Sequence, residues 1–213
     1  MAQPVTSLVF DDEQGYADFV TFVSRARTVD PDGAMHLQAF DVTLAAHVGV
    51  LPGRGLLGQG TVTGLRAMAL AEPSALDVVV SLASLADRIA RQPRGVELLV
   101  PPTSVSAVWA AMAPQRGGWE PVGELPSADL EAVARAGIEE VARASAAPAG
   151  APAVTLLRQS VWGRLTETTP PVPAGAAFAA SVLGFLEAGR NARVYAQGRW
   201  VRVATDRGHV LVR

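Results

Sequence analysis

Hydrophobic and polar positions follow helical spacing in some stretches of the chain and strand-like alternation in others, which predicts an α+β fold. Helical spacing runs from Asp11 or Asp12 to about Arg27. Alternation in Ala34–Leu51, interrupted at Phe40-Asp41, predicts two antiparallel strands. Shorter strands are expected at residues 8–10, 65–71 and 96–100, and helices at 81–91 and 104–113. The pattern leaves residues 76–80 open between a strand and a helix that begins at Ser74.

The pattern of residues 117–145 predicts that this stretch is the junction between two domains. A Gly117-Gly118 turn is followed by Ser127, a good N-cap residue, and by a helix with an apolar face. That face must be buried, and we expect its partner to be the helices that come later in the chain. The domain boundary is therefore placed near Leu125, with a sheet domain at 1–125 and a helical domain at 126–213.

The C-terminal domain is expected to end in strands. A helix is predicted at 154–165, and the nearly uncharged stretch 174–186 predicts a helix buried on most sides. Turn signals at Gln197-Gly198 and around Gly208 divide residues 192–213 into a three-stranded antiparallel meander. Helices followed by such a meander have a winged-helix-like outline.

Composition excludes several kinds of chemistry. The 213-residue chain contains no cysteine and no lysine, so all of its 18 basic residues are arginines. The absence of these two residue types rules out disulfides, thiolate metal sites, cysteine nucleophiles, phosphate-loop lysines and lysine Schiff bases. No apolar run is long enough to span a membrane and no secretory signal is evident, so we expect a cytoplasmic protein.

Charge is distributed unevenly, although the formal net charge is only −2. From Ala151 onward, the sequence contains eight arginines and only three acidic residues. Such asymmetry permits an anionic partner. The candidate anion or partner surface consists of Arg193, Arg199, Arg202 and Arg207. The predicted helix at 174–186 has no arginine, asparagine or glutamine to read base edges, which argues against sequence-specific DNA binding.

Other candidate sites have structural interpretations that we favour. The acids at 11–13 suit the positive end of the following helix. Gly53-Arg-Gly-Leu-Leu-Gly58 matches the letters of the dinucleotide fingerprint, but the sequence after it predicts a strand or loop. The histidines at 36, 47 and 209 lack metal-ligand spacing. We therefore predict no catalytic residues, no cofactor and no metal site.

Two resemblances follow from these elements. The N-terminal order of strand, helix, several strands, helix and strand resembles one subdomain of a DNA sliding clamp. Five motifs are similar to the pattern of an uncharacterised actinobacterial protein family with no assigned activity: Gly118-Trp-Glu120, Val161-Trp-Gly-Arg164, Gly184-Phe-Leu186, Gly198-Arg-Trp-Val-Arg202 and Gly208-His-Val-Leu-Val-Arg213. Neither resemblance implies functional residues.

The sequence as a whole favours a non-catalytic binding or interaction protein, with itself or another protein as partner. One alternative is nonspecific nucleic-acid binding through the arginine-rich C-terminal β-ribbon. A second is a hydrolase whose site is assembled from distant residues, because such a site leaves no local signature.

Overall fold

The computed structural model describes residues 6–55, 57–92, 94–112, 114, 117–145 and 151–213. The chain forms two compact units. Unit 1 comprises Met1–Val50 and Leu65–Met112, and unit 2 comprises Leu51–Gly64 and Ala113–Arg213. Both units combine helices with antiparallel strands, which confirms the predicted α+β class.

Unit 1 pairs its first and last strands in a small two-stranded sheet and places its longer strands in the order β4-β2-β3. Its elements are β1 (Ser7–Val9), α1 (Glu13–Val29), β2 (Ala34–Leu51), β3 (Val62–Ser74), β4 (Asp77–Ser81), α2 (Leu82–Arg91) and β5 (Glu97–Leu99). The boundary between the units falls inside β3, so its first residues belong to unit 2.

Helix α1 begins where the sequence predicts. Asp12 caps it, because its Oδ1 accepts a 2.6 Å hydrogen bond from the backbone N–H of Gly15. The buried face of α1 carries Phe19, whose ring centroid lies 5.3 Å from that of Phe10. These rings, with the buried leucines of α2, form the core of unit 1.

Strand β2 doubles back on itself near Asp41, which has a φ of 53°. The rings of His36 and His47 are 5.9 Å apart, whereas eleven residues of straight strand would span about 36 Å. Buried positions are odd before the turn, as at Leu37, and even after it, as at Ala46. This change of parity is expected when two arms of a hairpin present the same face, and it supports the predicted antiparallel pair.

Two uncertain segments of unit 1 have clear structures. Residues 77–81 form β4, so the alternative helix from Ser74 is wrong. The helix predicted at 104–113 is also wrong, because the described part of that stretch, 104–112, contains only a 3₁₀ turn at Val108–Ala111. Its start is extended, and the backbone N–H of Val105 donates to the carbonyl of Val79 at 2.8 Å. Bonding to a strand edge outweighs weak helical periodicity.

Unit 2 contains the predicted C-terminal meander. Its elements are β6 (Glu120–Pro126), α3 (Ser127–Ser145), α4 (Ala151–Gly163), α5 (Ala174–Val182), β7 (Asn191–Gln197), β8 (Trp200–Thr205) and β9 (Gly208–Val212). The strand order is β9-β8-β7-β6, and the start of β3 lies beside β9. Because β7 also pairs with β6, the meander is part of a larger sheet and not a free wing.

The helices of unit 2 pack on one another, although α5 ends at Val182, before the predicted end at 186, and Ile138 on the predicted apolar face of α3 is 42% exposed. Helix α5 is buried along most of its length and contacts α3, α4 and β9. Trp162 of α4 stacks on Phe178 of α5 with ring centroids 4.3 Å apart. Helix α3 contacts both α4 and α5 and buries Leu130 completely, so the expected packing on the later helices is found for that part of its apolar face. In the described part of the chain, no helix is long and apolar enough to cross a membrane.

Strand β6 was not predicted, because Pro121, Gly123 and Pro126 read as turn residues. It is the last strand in the order, where proline is tolerated. Its pairing with β7 places it in unit 2, and the compact units divide between Met112 and Ala113. The cut near Leu125, as a boundary between independently folding domains, stays a prediction.

Candidate functional site: an arginine-aromatic face on the C-terminal meander

One face of the meander carries arginines and aromatic rings at alternate positions. In β7, Arg193 and Tyr195 alternate with residues that are buried. Tyr195 lies opposite Arg202 of β8, and Ala204 lies opposite His209 of β9. Residues opposite one another in an antiparallel sheet share a face. We call the following set the arginine-aromatic face: Trp119, Arg193, Tyr195, Trp200, Arg202, His209 and Arg213.

The guanidinium of Arg202 lies over two aromatic rings. Its Cζ is 4.7 Å from the centroid of the Trp119 ring and 4.4 Å from that of Tyr195. A guanidinium at this distance is attracted to the ring face by about 0.5–2 kcal/mol. Burial lowers the pKa of Arg202 from its usual value, and the charge of Arg193 also lowers it. The buried Nε of Arg202 has no hydrogen-bond partner among the described residues, so one donor is left unused.

His209 lies on the next strand, diagonally across from Arg202, which is opposite Leu211. Burial lowers the pKa of His209 from 6.5, and the charges of Arg202 and Arg193 lower it further. The imidazole is therefore neutral at pH 7. Its Nδ1 is also buried without a partner within the described ranges. Arg202 on β8 and His209 on β9 thus each have a buried side-chain nitrogen without a hydrogen-bond partner among the described residues.

Arg213 and Trp200 form a second pair on this face. The Cζ of Arg213 lies 5.7 Å from the centroid of the Trp200 ring. The backbone of Arg213 is fixed at both ends: its N–H donates to the carbonyl of Thr61 at 3.1 Å, and its carbonyl accepts from Gly60 at 2.7 Å. The position of this arginine is thus set by a segment remote in sequence.

The four arginines predicted as a surface do not form one patch. Arg193 and Arg202 share the arginine-aromatic face. Arg199 is exposed in the β7–β8 turn, and Arg207 is exposed in the β8–β9 turn at the other end of β8. The Nε of Arg207 donates to Glu187 at 3.2 Å, so this charge is paired. Whether any of these four residues binds a partner stays a prediction.

Cations exceed anions on the arginine-aromatic face. Within strands β6 to β9, the register places one acid there, Glu124, opposite Arg193. The Oε2 of Glu124 also accepts a 3.2 Å hydrogen bond from Asn191. Within the described ranges, none of Arg193, Arg202 and Arg213 forms an ion pair. The face therefore keeps an uncompensated positive charge.

Several members of the face were missed from the sequence. Alternation was a usable signal for Tyr195, Trp200, His209 and Arg213, because each is an even number of residues from an arginine or ring of its own strand. Trp119 had no such signal. It precedes a strand that was not predicted, and its contact with Arg202 joins residues far apart in sequence.

Unit 1 contains a second polar cluster. The Nε2 of His36 is 2.6 Å from Oδ1 of Asp77, and Oδ2 of Asp77 accepts from Gln38 at 2.9 Å. Burial and the neighbouring His36 lower the pKa of His47 to about 4. Both oxygens of Asp77 are occupied, which gives this cluster a structural character. Among the residues that the structure describes, no group of three or more His, Cys, Asp or Glu is placed to hold a metal ion.

The glycine-rich segment forms a connection between strands. Arg54 and Gln59 form an antiparallel bridge, and the chain continues into β3, whereas the dinucleotide fingerprint requires a helix at that point. A separate groove of about 520 Å³ lies between α1 and α2 and is lined mainly by apolar side chains, including Val20 and Ile89. It gathers no set of catalytic groups.

The fold is that of an α+β protein of the sliding-clamp type. A protein described as a DNA polymerase III beta subunit from Eubacterium rectale ATCC 33656 superposes with a TM-score of 0.59 at 10% identity, over 97% of this chain and 64% of that one. At this identity the likeness shows the fold alone. It bears out the N-terminal resemblance to a sliding-clamp subdomain and extends it to nearly the whole chain.

Family comparisons divide the chain near the boundary between the compact units. Residues 3–111 match the Domain of unknown function DUF8010, and residues 114–213 match the Domain of unknown function DUF8185. The chain belongs to the DUF8010 family, and the part of the chain after that match is similar to the DUF8185 domain. No curated protein matches the chain. An actinobacterial source stays a prediction.

Proposed function

We propose that this chain is a non-catalytic binding protein whose arginine-aromatic face takes an anionic partner. The observation that supports it best is Arg202, whose guanidinium lies over the rings of Trp119 and Tyr195 and whose buried Nε has no hydrogen-bond partner among the described residues. Leaving a buried donor of a guanidinium without a hydrogen-bond partner is costly. Proteins accept such a cost at functional sites more readily than elsewhere.

The distribution of ion pairs supports the same face. At the other end of the meander, Arg207 pairs with Glu187, and Arg190 pairs with Asp206 at 2.7 Å. Charges there serve solubility and local structure. Arg193 and Arg213 have no such pairing in the described residues, so they are available to an incoming anion.

The test is a binding titration with labelled polyanions at two salt concentrations, about 50 mM and about 200 mM. The panel is a polyglutamate peptide, a single-stranded oligonucleotide and a duplex. We expect at least one to bind, and the double variant Arg193→Gln with Arg213→Gln to weaken that binding about tenfold, because both lost charges lie on the face.

The matched control is the double variant Arg190→Gln with Arg207→Gln. It removes the same charge from the same unit but at ion-paired positions away from the face. Its affinity should stay within about twofold of the parent protein. Equal losses in both double variants would point to net charge and not to the face. Absence of binding to every polyanion would contradict the proposal.

A protein partner or a second copy of the chain is a second candidate, which the sliding-clamp-like fold and exposed leucines favour. Leu156 of α4 and Leu165 are 64% and 67% exposed. Large apolar side chains exposed in this way are typical of association surfaces when they cluster. Sedimentation of the protein across a concentration series tests it, and a strictly monomeric protein whose state is unchanged by Leu156→Glu would oppose self-association.

A further inference from the structure

We propose that the arginine-aromatic face binds single-stranded nucleic acid, with bases stacked on Trp119, Tyr195 and Trp200 and phosphates contacted by Arg193 and Arg213. This inference rests on the proposed function, since it names the class of anion that the face takes. It differs from binding through the ribbon turns, because the contact surface is the face of the sheet.

The rings are spread over neighbouring strands. Trp119 directly precedes β6, Tyr195 lies on β7, and Trp200 lies on β8. Neighbouring strands are about 4.8 Å apart, so the backbone positions of Trp119 and Trp200, at the two outer strands of the three, are separated by about 10 Å. All three side chains are partly exposed. A row of partly exposed rings on a sheet is the arrangement on which successive bases stack.

The cations lie among these rings. Arg193, Arg202 and Arg213 come from β7, β8 and β9, one on or just after each strand. Single-strand binding sites combine a positive surface for the phosphate backbone with rings for the bases. The guanidinium of Arg202 lies over both the Trp119 and the Tyr195 ring, so a positive charge adjoins two of the three rings.

A single strand fits this face better than a duplex or an acidic peptide. In a duplex the base faces are already stacked, and only base edges and phosphates are presented. An acidic peptide pairs with guanidinium groups but has no flat aromatic surface for the rings. The face has both features together, and a single-stranded polynucleotide uses both.

The experiment is fluorescence anisotropy with the full chain and a labelled thymidine oligomer of about ten nucleotides, a length within the range bound by single-strand domains. Three matched ligands are an abasic oligomer of the same length, a duplex and a polyglutamate peptide. We expect the thymidine oligomer to bind at least about tenfold more tightly than the abasic one, since only the former can stack. The emission of the tryptophans should be quenched on binding.

Variants locate the site. Trp200→Leu should weaken binding of the thymidine oligomer about tenfold. Trp200→Phe keeps a ring and should therefore reduce the affinity less than Trp200→Leu does. Loss of Arg213 should reduce the dependence of log affinity on log salt by about 0.7. Arg207→Gln should leave affinity unchanged, and the melting temperature of each variant reports whether it is folded. If the ring variants do not fold, the abasic comparison with the parent protein decides alone.

The outcomes separate this inference from the proposed function. Binding of polyglutamate but not of the thymidine oligomer overturns the single-strand assignment and leaves an anion-binding face. Equal affinity for thymidine and abasic oligomers, or tighter binding of the duplex, also overturns the assignment. Failure of all polyanions to bind removes both proposals together.

Discussion

Replacing Gly137 by alanine is expected to destabilise unit 2, although the residue lies inside helix α3. In an exposed helix this change stabilises by up to about 1 kcal/mol. Here a Cβ built on Gly137 would lie 2.6 Å from Cη2 of Trp162 and closer still to Cζ3. Trp162 is buried and stacked on Phe178, so it has no free direction in which to move. Overpacking of this kind costs about 1–3 kcal/mol, which exceeds the helix gain.

The net loss of about 1–2 kcal/mol should lower the melting temperature by about 2–4 °C for each kcal/mol in a chain of this size. Thermal unfolding followed by circular dichroism measures it. Gly163→Ala is the matched control, because the nearest atom to its added Cβ is Nη2 of Arg54 at 4.0 Å. That variant should be neutral or slightly stabilised.

A double-mutant cycle identifies the cause. Trp162→Phe removes the ring carbons that meet the new Cβ, so Gly137→Ala should become neutral or stabilising in that background, with a coupling of about 1 kcal/mol or more. A higher melting temperature for Gly137→Ala in the parent protein would show that Trp162 does not pack over Gly137.

Three further predictions follow from local geometry. Asp12→Ala should cost about 1 kcal/mol of unfolding free energy in a denaturant titration, because it removes the cap of α1, whereas Asp12→Asn should cost little. The pKa of His47 is lowered to about 4 in the folded protein from 6.5, so the unfolded chain binds the proton more readily. The contribution of neutral His47 to the free energy of unfolding should be complete above about pH 6.5 and be lost toward pH 4, by at most about 3 kcal/mol. If His47→Gln had the same dependence of stability on pH as the parent protein, this prediction would be contradicted. Gly208→Ala should destabilise by about 1–3 kcal/mol, since its Cβ would lie 2.7 Å from the ring of Phe185, while Gly117→Ala, with nothing within 4 Å, should not.

Elements with strong local signals were predictable. Helix α3 follows from Ser127 and a regular apolar face, and the meander follows from its turns and alternation. The failures have a common physical cause. Strand β6 exists because β7 offers it an edge, and the stretch around Val105 is extended because it bonds to Val79. Hydrogen bonds between segments remote in sequence leave no local pattern.

The candidate site divides in the same way. The sequence alone shows which residues of β7 and β8 alternate between the two faces of a strand. Once the two strands are paired, this alternation places Tyr195 and Arg202 on a common face. The lack of cysteine and lysine likewise excludes whole classes of chemistry without any structure. Tertiary structure alone brings Trp119 onto Arg202 and pairs Arg207 with Glu187. Which arginines are ion-paired and which can bind a partner therefore depends on residues distant in sequence. Strand order and turn direction bring those residues together, and local periodicity does not.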